Sequence, residues 1–183
     1  LVNRDGIKSI YLIVPNYQAG KDNIAGFQRT YKGKVIDQSL VKLGESDFQA
    51  EFSKVRAEKP EAVFVFAPGA MGISFLKQWE SSGLGKTIKL YVQNMLDNST
   101  PPAIGLSAIG ASQTSHWNPD LPDPRNQQFV KTYTAKYGHL PAIYAVHGYD
   151  AARAIAAAAR RLNGKFDDAR ALSKSMRHAG LSS

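Results

Sequence analysis

Apolar and polar positions alternate along this chain in a way that separates strands from helices before any motif is sought. Residues 62–66, AVFVF, are uninterrupted apolar positions that end in the turn Ala67-Pro68-Gly69. A strand covered on one face alternates, so an unbroken Val- and Phe-rich run predicts cover on both faces, as in a parallel sheet flanked by helices. Residues 7–14, IKSIYLIV, predict a first strand that Pro15-Asn16 stops, because proline lacks the ladder donor and the pair favours a turn. Residues 34–43 predict a second strand whose mixed polarity suits the sheet edge, and residues 87–92, TIKLYV, a fourth.

Helical spacing fills the gaps. Ile24, Phe27 and Tyr31 fall on one face of a helix over residues 20–31. Phe48, Phe52 and Val55 form the stripe of a second over 48–58, with Ser46-Asp47 as its cap and Pro60 as its stop. A third covers 72–82, using Ile73, Leu76 and Trp79 and closing at Gly83 and Gly85. The order β-α-β-α-β-α-β predicts right-handed crossovers and a three-layer α/β fold with a mainly parallel sheet.

After Gln93 this regularity ends. Residues 98–102 are turn-rich, 103–107 suit a short helix, 109–117 look extended, and 118–125 contain three prolines. A boundary is therefore expected there, giving units of residues 1–116 and 117–183. Helices are expected at 126–137, with Phe129, Val130 and Tyr133 inward, at 142–162, alanine-dense over 151–159, and from Asp167-Asp168 to Met176 or Arg177. Three helices after a sheet call for a further sheet to cover, yet the sequence stops at Ala179-Gly180-Leu181-Ser182-Ser183, so the chain is expected to be a fragment.

Composition changes this picture little. Hydrophobic residues make up 43% and charged residues 21%, ordinary globular usage. The net charge of +8 is dispersed, its longest run being Arg160-Arg161, which reads as solvated surface and gives no contiguous patch for nucleic acid. The absence of cysteine excludes disulfides and thiol catalysis. Residues 1–4 are not the start of a secretory signal, so any export signal was removed or lies upstream.

Chemical motifs are equally sparse. His116, His139, His147 and His178 show no H-x-x-x-H spacing, so neither a metal nor another cofactor is expected. The nucleophile elbow, the dinucleotide glycine pattern and the P-loop are missing from the sequence. Asp47 and Glu51, at i and i+4, read as a solvated helix face. What is left is a set of turns at the carboxyl ends of strands one, three and four: Asn16, Tyr17, Gln18, Ala19 and Gly20; Pro68, Gly69, Ala70 and Met71; and Gln93 and Asn94 before Met95. Singly, each is equally a tight βα turn. Together they offer amides, a phenol, a thioether and free backbone N–H groups on the sheet edge where α/β folds bind ligands.

At these turns the chain resembles type I periplasmic ligand-binding proteins, the leucine/isoleucine/valine-binding group of ABC-transporter receptors. The resemblance is carried by IYLIVPNYQAGKD, by LGESDFQAEFSKVRAEKPEAVFVFAPGAMGISFLKQW and by NQQFVKTYTAKYGHLPAIYAVHGYDAARAIAAA. It implies a periplasmic, non-enzymatic receptor whose two lobes close over a small organic solute, amino-acid-like or an aromatic carboxylate, and present it to a membrane permease. Residues 1–116 would be the second lobe, His116 and Trp117 would lie at the hinge, and the helices from 118 onward would pack on a first lobe missing from this chain. Amino-acid-binding members place a carboxylate after the fourth strand to meet the ligand's ammonium group. Here that position holds Asn94, with Gln93 beside it and Asp97 further on. The uncharged pair disfavours an α-amino acid and suits a carboxylate without an amine, and the PNYQAGKD and PGAMG segments are similar to members that import aromatic acids. A cytoplasmic ligand-sensing regulator of the same fold is the alternative; an α/β enzyme would require a strongly perturbed carboxylate or histidine in the cleft.

Overall fold

The computed structural model describes residues 1–165 and 167–177; His178 and the terminal residues 179–183, used in the sequence reading, lie outside the described residues. Two compact units are present, Leu1–His116 and Trp117–Ser183.

The first unit is built on five parallel strands in the order β2-β1-β3-β4-β5. They are β1 (Ser9–Pro15), β2 (Lys34–Val41), β3 (Ala62–Phe66), β4 (Lys89–Gln93) and β5 (Ala111–Gln113). Helices α1 (Gln18–Thr30), α2 (Gln49–Glu58) and α3 (Ala70–Ser82) make the crossovers, a 3-10 turn at Leu84–Lys86 precedes β4, and the short α4 (Pro101–Ile104) precedes β5. The polar β2 is an edge strand, as its mixed sequence predicts, and the apolar β3 is central.

The alternation of the strands divides the core into two layers. On one face Tyr11, Ile13, Val63, Val65, Leu90 and Val92 pack against α2 and α3. There Phe75 sits edge-on to Phe48 and Phe52, with centroids 5.1 and 5.4 Å away. The stripe of α3 is thus Met71, Phe75, Leu76 and Trp79, with Ile73 only partly buried. On the other face Ile10, Leu12, Val14, Ala62, Phe66 and Tyr91 meet Ile24 of α1, and Phe27 packs on Phe64 at 4.9 Å.

Several boundaries differ from the sequence reading. Pro15 is the last residue of β1 and lies opposite Val41; the Asn16 N–H makes the bond to the Val41 carbonyl (2.7 Å) that the proline cannot. Phe48 rather than Ser46-Asp47 occupies the N-cap of α2, while Asp47 accepts from the Gln49 N–H and Gln78 from the Phe48 N–H. Residues 111–113, read only as extended, form a fifth parallel strand.

The second unit contains α5 (Pro124–Tyr137), α6 (Ile143–Arg161) and α7 (Ala169–Arg177). Helix α5 starts two residues earlier than expected because Asp123 caps it through the Arg125 and Asn126 N–H groups, with Pro124 suited to the first turn. Phe129 is buried against Trp117, Tyr133 and Tyr149, and Asp168 caps α7. Tyr137, Leu140, Tyr144 and Ile155 leave this unit with exposed apolar surface. Among the described residues no helix is long and apolar enough to cross a membrane.

Candidate ligand-binding edge of the sheet

Because β1, β3 and β4 are parallel neighbours, their carboxyl ends emerge side by side. The register sets Ile13 beside Val65 and Phe66 beside Gln93, so the segments after Pro15, Phe66 and Gln93 leave one edge in sequence across the sheet. This is the edge at which open α/β sheets bind ligands.

At the first exit Asn16 is exposed and Tyr17 is half-buried, its ring stacked on Phe66. Gln18 and Ala19 already belong to α1, and Gln18 Nε2 donates to Asp22 Oδ1 at 2.8 Å. Gly20 is buried: a Cβ there would lie 1.9 Å from the Pro15 carbonyl oxygen, so this glycine lets the helix start close to the strand end and offers no side chain to a ligand. At the second exit Pro68 is partly exposed, and Gly69, at φ +63°, and Ala70 are exposed. Met71 turns inward. It is 5% exposed and packs with the layer under α3, which corrects the expectation that its thioether faces the edge; as the second residue of α3 it begins the buried stripe. At the third exit Gln93 is partly exposed and Asn94 is exposed, in the left-handed region at φ +53°.

Two helices begin at this edge without side-chain caps, α1 at Tyr17 and α3 at Gly69, and neither has an acidic residue in its first turn. Their first N–H groups and positive dipole ends favour an anion. The side chains of Asn16, Tyr17, Gln18, Ala19, Pro68, Ala70, Gln93 and Asn94 carry no formal charge, so the edge suits an anionic group without an attached cation.

A groove of about 520 Å3 beside α1 reaches this edge at Ala19 and Gln93, with Phe27, Phe64 and Thr114 also in its lining; Asp22, which accepts from Gln18, is the one carboxylate there. Asn16, Tyr17, Gln18, Pro68, Gly69, Ala70 and Asn94 lie outside it. Two of the described carboxylates have displaced acidity. Asp5 is held below its usual range first by the hydrogen bond from Tyr91, and Glu45 by the backbone N–H groups of Asp47 and Ser46. Asp5 precedes β1, at the amino end of the strands; Glu45 follows the carboxyl end of the edge strand β2, its Oε1 accepting from the Ser46 and Asp47 N–H groups of its own loop.

His116 is exposed and ends the first unit; Trp117 opens the second, donating from Nε1 to Asn126 Oδ1 at 2.7 Å. Sequence reasoning missed Gln113, which holds the loop after Asn94. Its Oε1 accepts from the Met95 and Leu96 N–H groups, both at 3.1 Å, and its Nε2 donates to the Leu96 carbonyl at 2.7 Å. Recognising the short stretch ASQ as a strand would have brought it to the edge.

A parallel sheet with adjacent open exits and uncapped helix starts is the arrangement at which open α/β folds bind ligands. The chain belongs to the periplasmic binding protein family, whose model it matches over residues 1–183. It is 26% identical over 175 residues to Leu/Ile/Val-binding protein homolog 6 of Brucella melitensis, covering 91% of this chain and 45% of that relative. Among solved structures it is similar to a solute-binding protein of an ABC transporter from R. palustris in complex with benzoate, at 26% identity and a TM-score of 0.89 over 96% of this chain and 49% of that one. It also resembles one from Rhodopseudomonas palustris BisB5 in complex with 3,4-dihydroxybenzoic acid, at 28% identity and a TM-score of 0.83 over 95% and 49%. The chain thus spans about half the length of the relatives it matches. The matching family is that of periplasmic binding proteins, and both of these neighbours are solute-binding proteins of ABC transporters.

Proposed function

We propose that this chain is the second lobe, residues 1–116, of a two-lobed periplasmic receptor, followed by helices that pack on the first lobe. His116 and Trp117 lie in the hinge between them. The receptor binds an aromatic carboxylate across the exits of β1, β3 and β4, without turning it over, and delivers it to a membrane permease.

The observation that carries this reading is the uncharged edge flanked by the uncapped starts of α1 and α3. A carboxylate finds N–H donors there, whereas an α-ammonium group finds no formal negative charge among Asn16, Tyr17, Gln93 and Asn94; the groove's one carboxylate, Asp22, is engaged by Gln18. The benzoate and dihydroxybenzoate complexes of the two similar proteins support the same ligand class. One wall is half a site. Micromolar affinity requires about 8 kcal/mol, so closure of a second lobe supplies the remaining contacts, and the closed form is favoured by the ligand's greater affinity for it.

The test is calorimetry and thermal unfolding of the whole receptor with benzoate, 3,4-dihydroxybenzoate and leucine, with mass analysis of the recovered ligand. At a concentration about 100 times Kd, a bound carboxylate stabilises the protein by about 2.7 kcal/mol and is recovered unchanged. Preference for leucine over both benzoates would overturn the ligand class, and a product would overturn the receptor role.

A further inference from the structure

The loop that carries Asn94 is held by one side chain from the neighbouring strand. After β4 the chain turns through Asn94 in the left-handed region, and Met95 then sinks into the core beneath α3 with 4% exposure. Gly72 makes room for it, since a Cβ at that position would lie 3.2 Å from Met95 Cγ. Gln113, beside Val92 in the sheet register, meets the next backbone groups with a single amide: the Met95 and Leu96 N–H groups on Oε1, the Leu96 carbonyl on Nε2.

We propose that Gln113 is a positioning residue for ligand recognition, fixing the β4 exit so that Asn94 is presented to the rim in one conformation. This role rests on the binding of a ligand at this edge, as proposed above. Upstream, Gln93 is tied into the sheet beside Phe66; downstream, Met95 and Leu96 are tied to Gln113. With its flanks held on both sides, Asn94 has less backbone freedom to lose when it meets a ligand.

The side-chain requirement is narrow. The loop presents two donors and one acceptor, and a primary amide supplies the matching acceptor and donor in one plane. A carboxylate at the same reach serves the two N–H groups but opposes the Leu96 carbonyl, a thioether serves none of the three, and asparagine is one carbon shorter.

Calorimetry of the whole receptor with benzoate, combined with amide hydrogen exchange, tests this. In Gln113→Met, benzoate affinity is expected to fall at least about tenfold, and the Met95 and Leu96 amides to exchange at least about tenfold faster. Ser39→Ala removes the buried Tyr11–Ser39 hydrogen bond on β2; it lowers Tm and is expected to leave affinity within about twofold, separating positioning from general destabilisation.

Gln113→Glu is the second variant and carries the test if Gln113→Met does not fold. At neutral pH its carboxylate holds the two N–H groups, so the Met95 and Leu96 amides stay protected, but it opposes the Leu96 carbonyl, and benzoate affinity is expected to fall about threefold or more. Affinity within twofold of wild type in Gln113→Met, or in Gln113→Glu where Gln113→Met does not fold, would overturn the positioning role. A wild-type receptor that binds no carboxylate would instead overturn the ligand reading on which that role depends, and the exchange rates would still report whether Gln113 holds the loop.

Discussion

The Tyr17 ring stacks on Phe66, the last residue of β3, with centroids 6.3 Å apart and planes inclined by 20°. This contact joins the first exit to the second and places a half-buried aromatic surface at the rim. Tyr17→Ala is expected to weaken benzoate binding by the whole receptor about tenfold and to cost the fold about 1 kcal/mol of stacking and burial. Tyr17→Phe should retain most of both. Calorimetry and urea unfolding of the two variants check this; equal binding by Tyr17→Ala would remove the ring from the site.

Asn94 occupies a backbone conformation that aspartate also tolerates, so Asn94→Asp changes charge with little strain. Stability is expected to stay within about 0.5 kcal/mol. Benzoate affinity is expected to fall at least about tenfold through repulsion between the carboxylates, while the ratio of leucine to benzoate affinity rises. Paired titrations with the two ligands measure the ratio. An unchanged ratio would place Asn94 outside the site.

Glycines at the edge and within α1 should respond in opposite directions. Gly20→Ala drives a Cβ against the Pro15 carbonyl and Gly72→Ala one to 2.4 Å from the Ala67 carbonyl, both backbone clashes. Each is expected to destabilise by about 3 kcal/mol. Gly26, in the middle of α1 with nothing within 4 Å of its Cβ position, should gain about 0.5–1 kcal/mol on Gly26→Ala. Denaturant midpoints of the three variants read this out.

The pair Asp5–Tyr91 predicts losses of stability at both pH extremes. Burial, followed by the hydrogen bond to Asp5, pushes the Tyr91 phenol up to about 12. The unfolded phenol titrates near 10, so this contribution is fully present below about pH 10 and is lost as pH rises toward about 12. Asp5 titrates below its unfolded value of about 3.9, so its contribution is present above that pH and is lost as pH falls further. Tyr11 and Tyr31 are also raised, so the diagnostic quantity is the difference between wild type and Tyr91→Phe in thermal unfolding from about pH 9 to about 12. The variant should show the shallower alkaline decline; parallel curves would contradict the assignment.

How far the sequence reveals this structure depends on how much each segment buries. β3 is legible to the residue because cover on both faces leaves no polar position in it, and the crossover order then requires a parallel sheet with neighbouring exits. β5 was not recognised as a strand because it is three half-buried residues paired along one side. The spacing of three from Ile73 to Leu76 to Trp79 gives three of the α3 residues that pack on the sheet, while Met71 and Phe75, which complete the set, fit the same periodicity and are not singled out by it. At the edge, the turns could be located but not the direction of each side chain: Met71 and Gly20 face the interior, set by where α1 and α3 begin. Gln113 was invisible for a different reason, because its partners lie 17 and 18 positions away and become adjacent only when β5 joins β4.

Backbone amide exchange of the whole receptor with and without benzoate tests the proposed ligand position most directly. Slower exchange concentrated at residues 16–20, 67–71 and 93–96 is the expected result, with the opposite edge of the sheet unaffected. Protection confined to other segments, with these three unchanged at saturating benzoate, would contradict it.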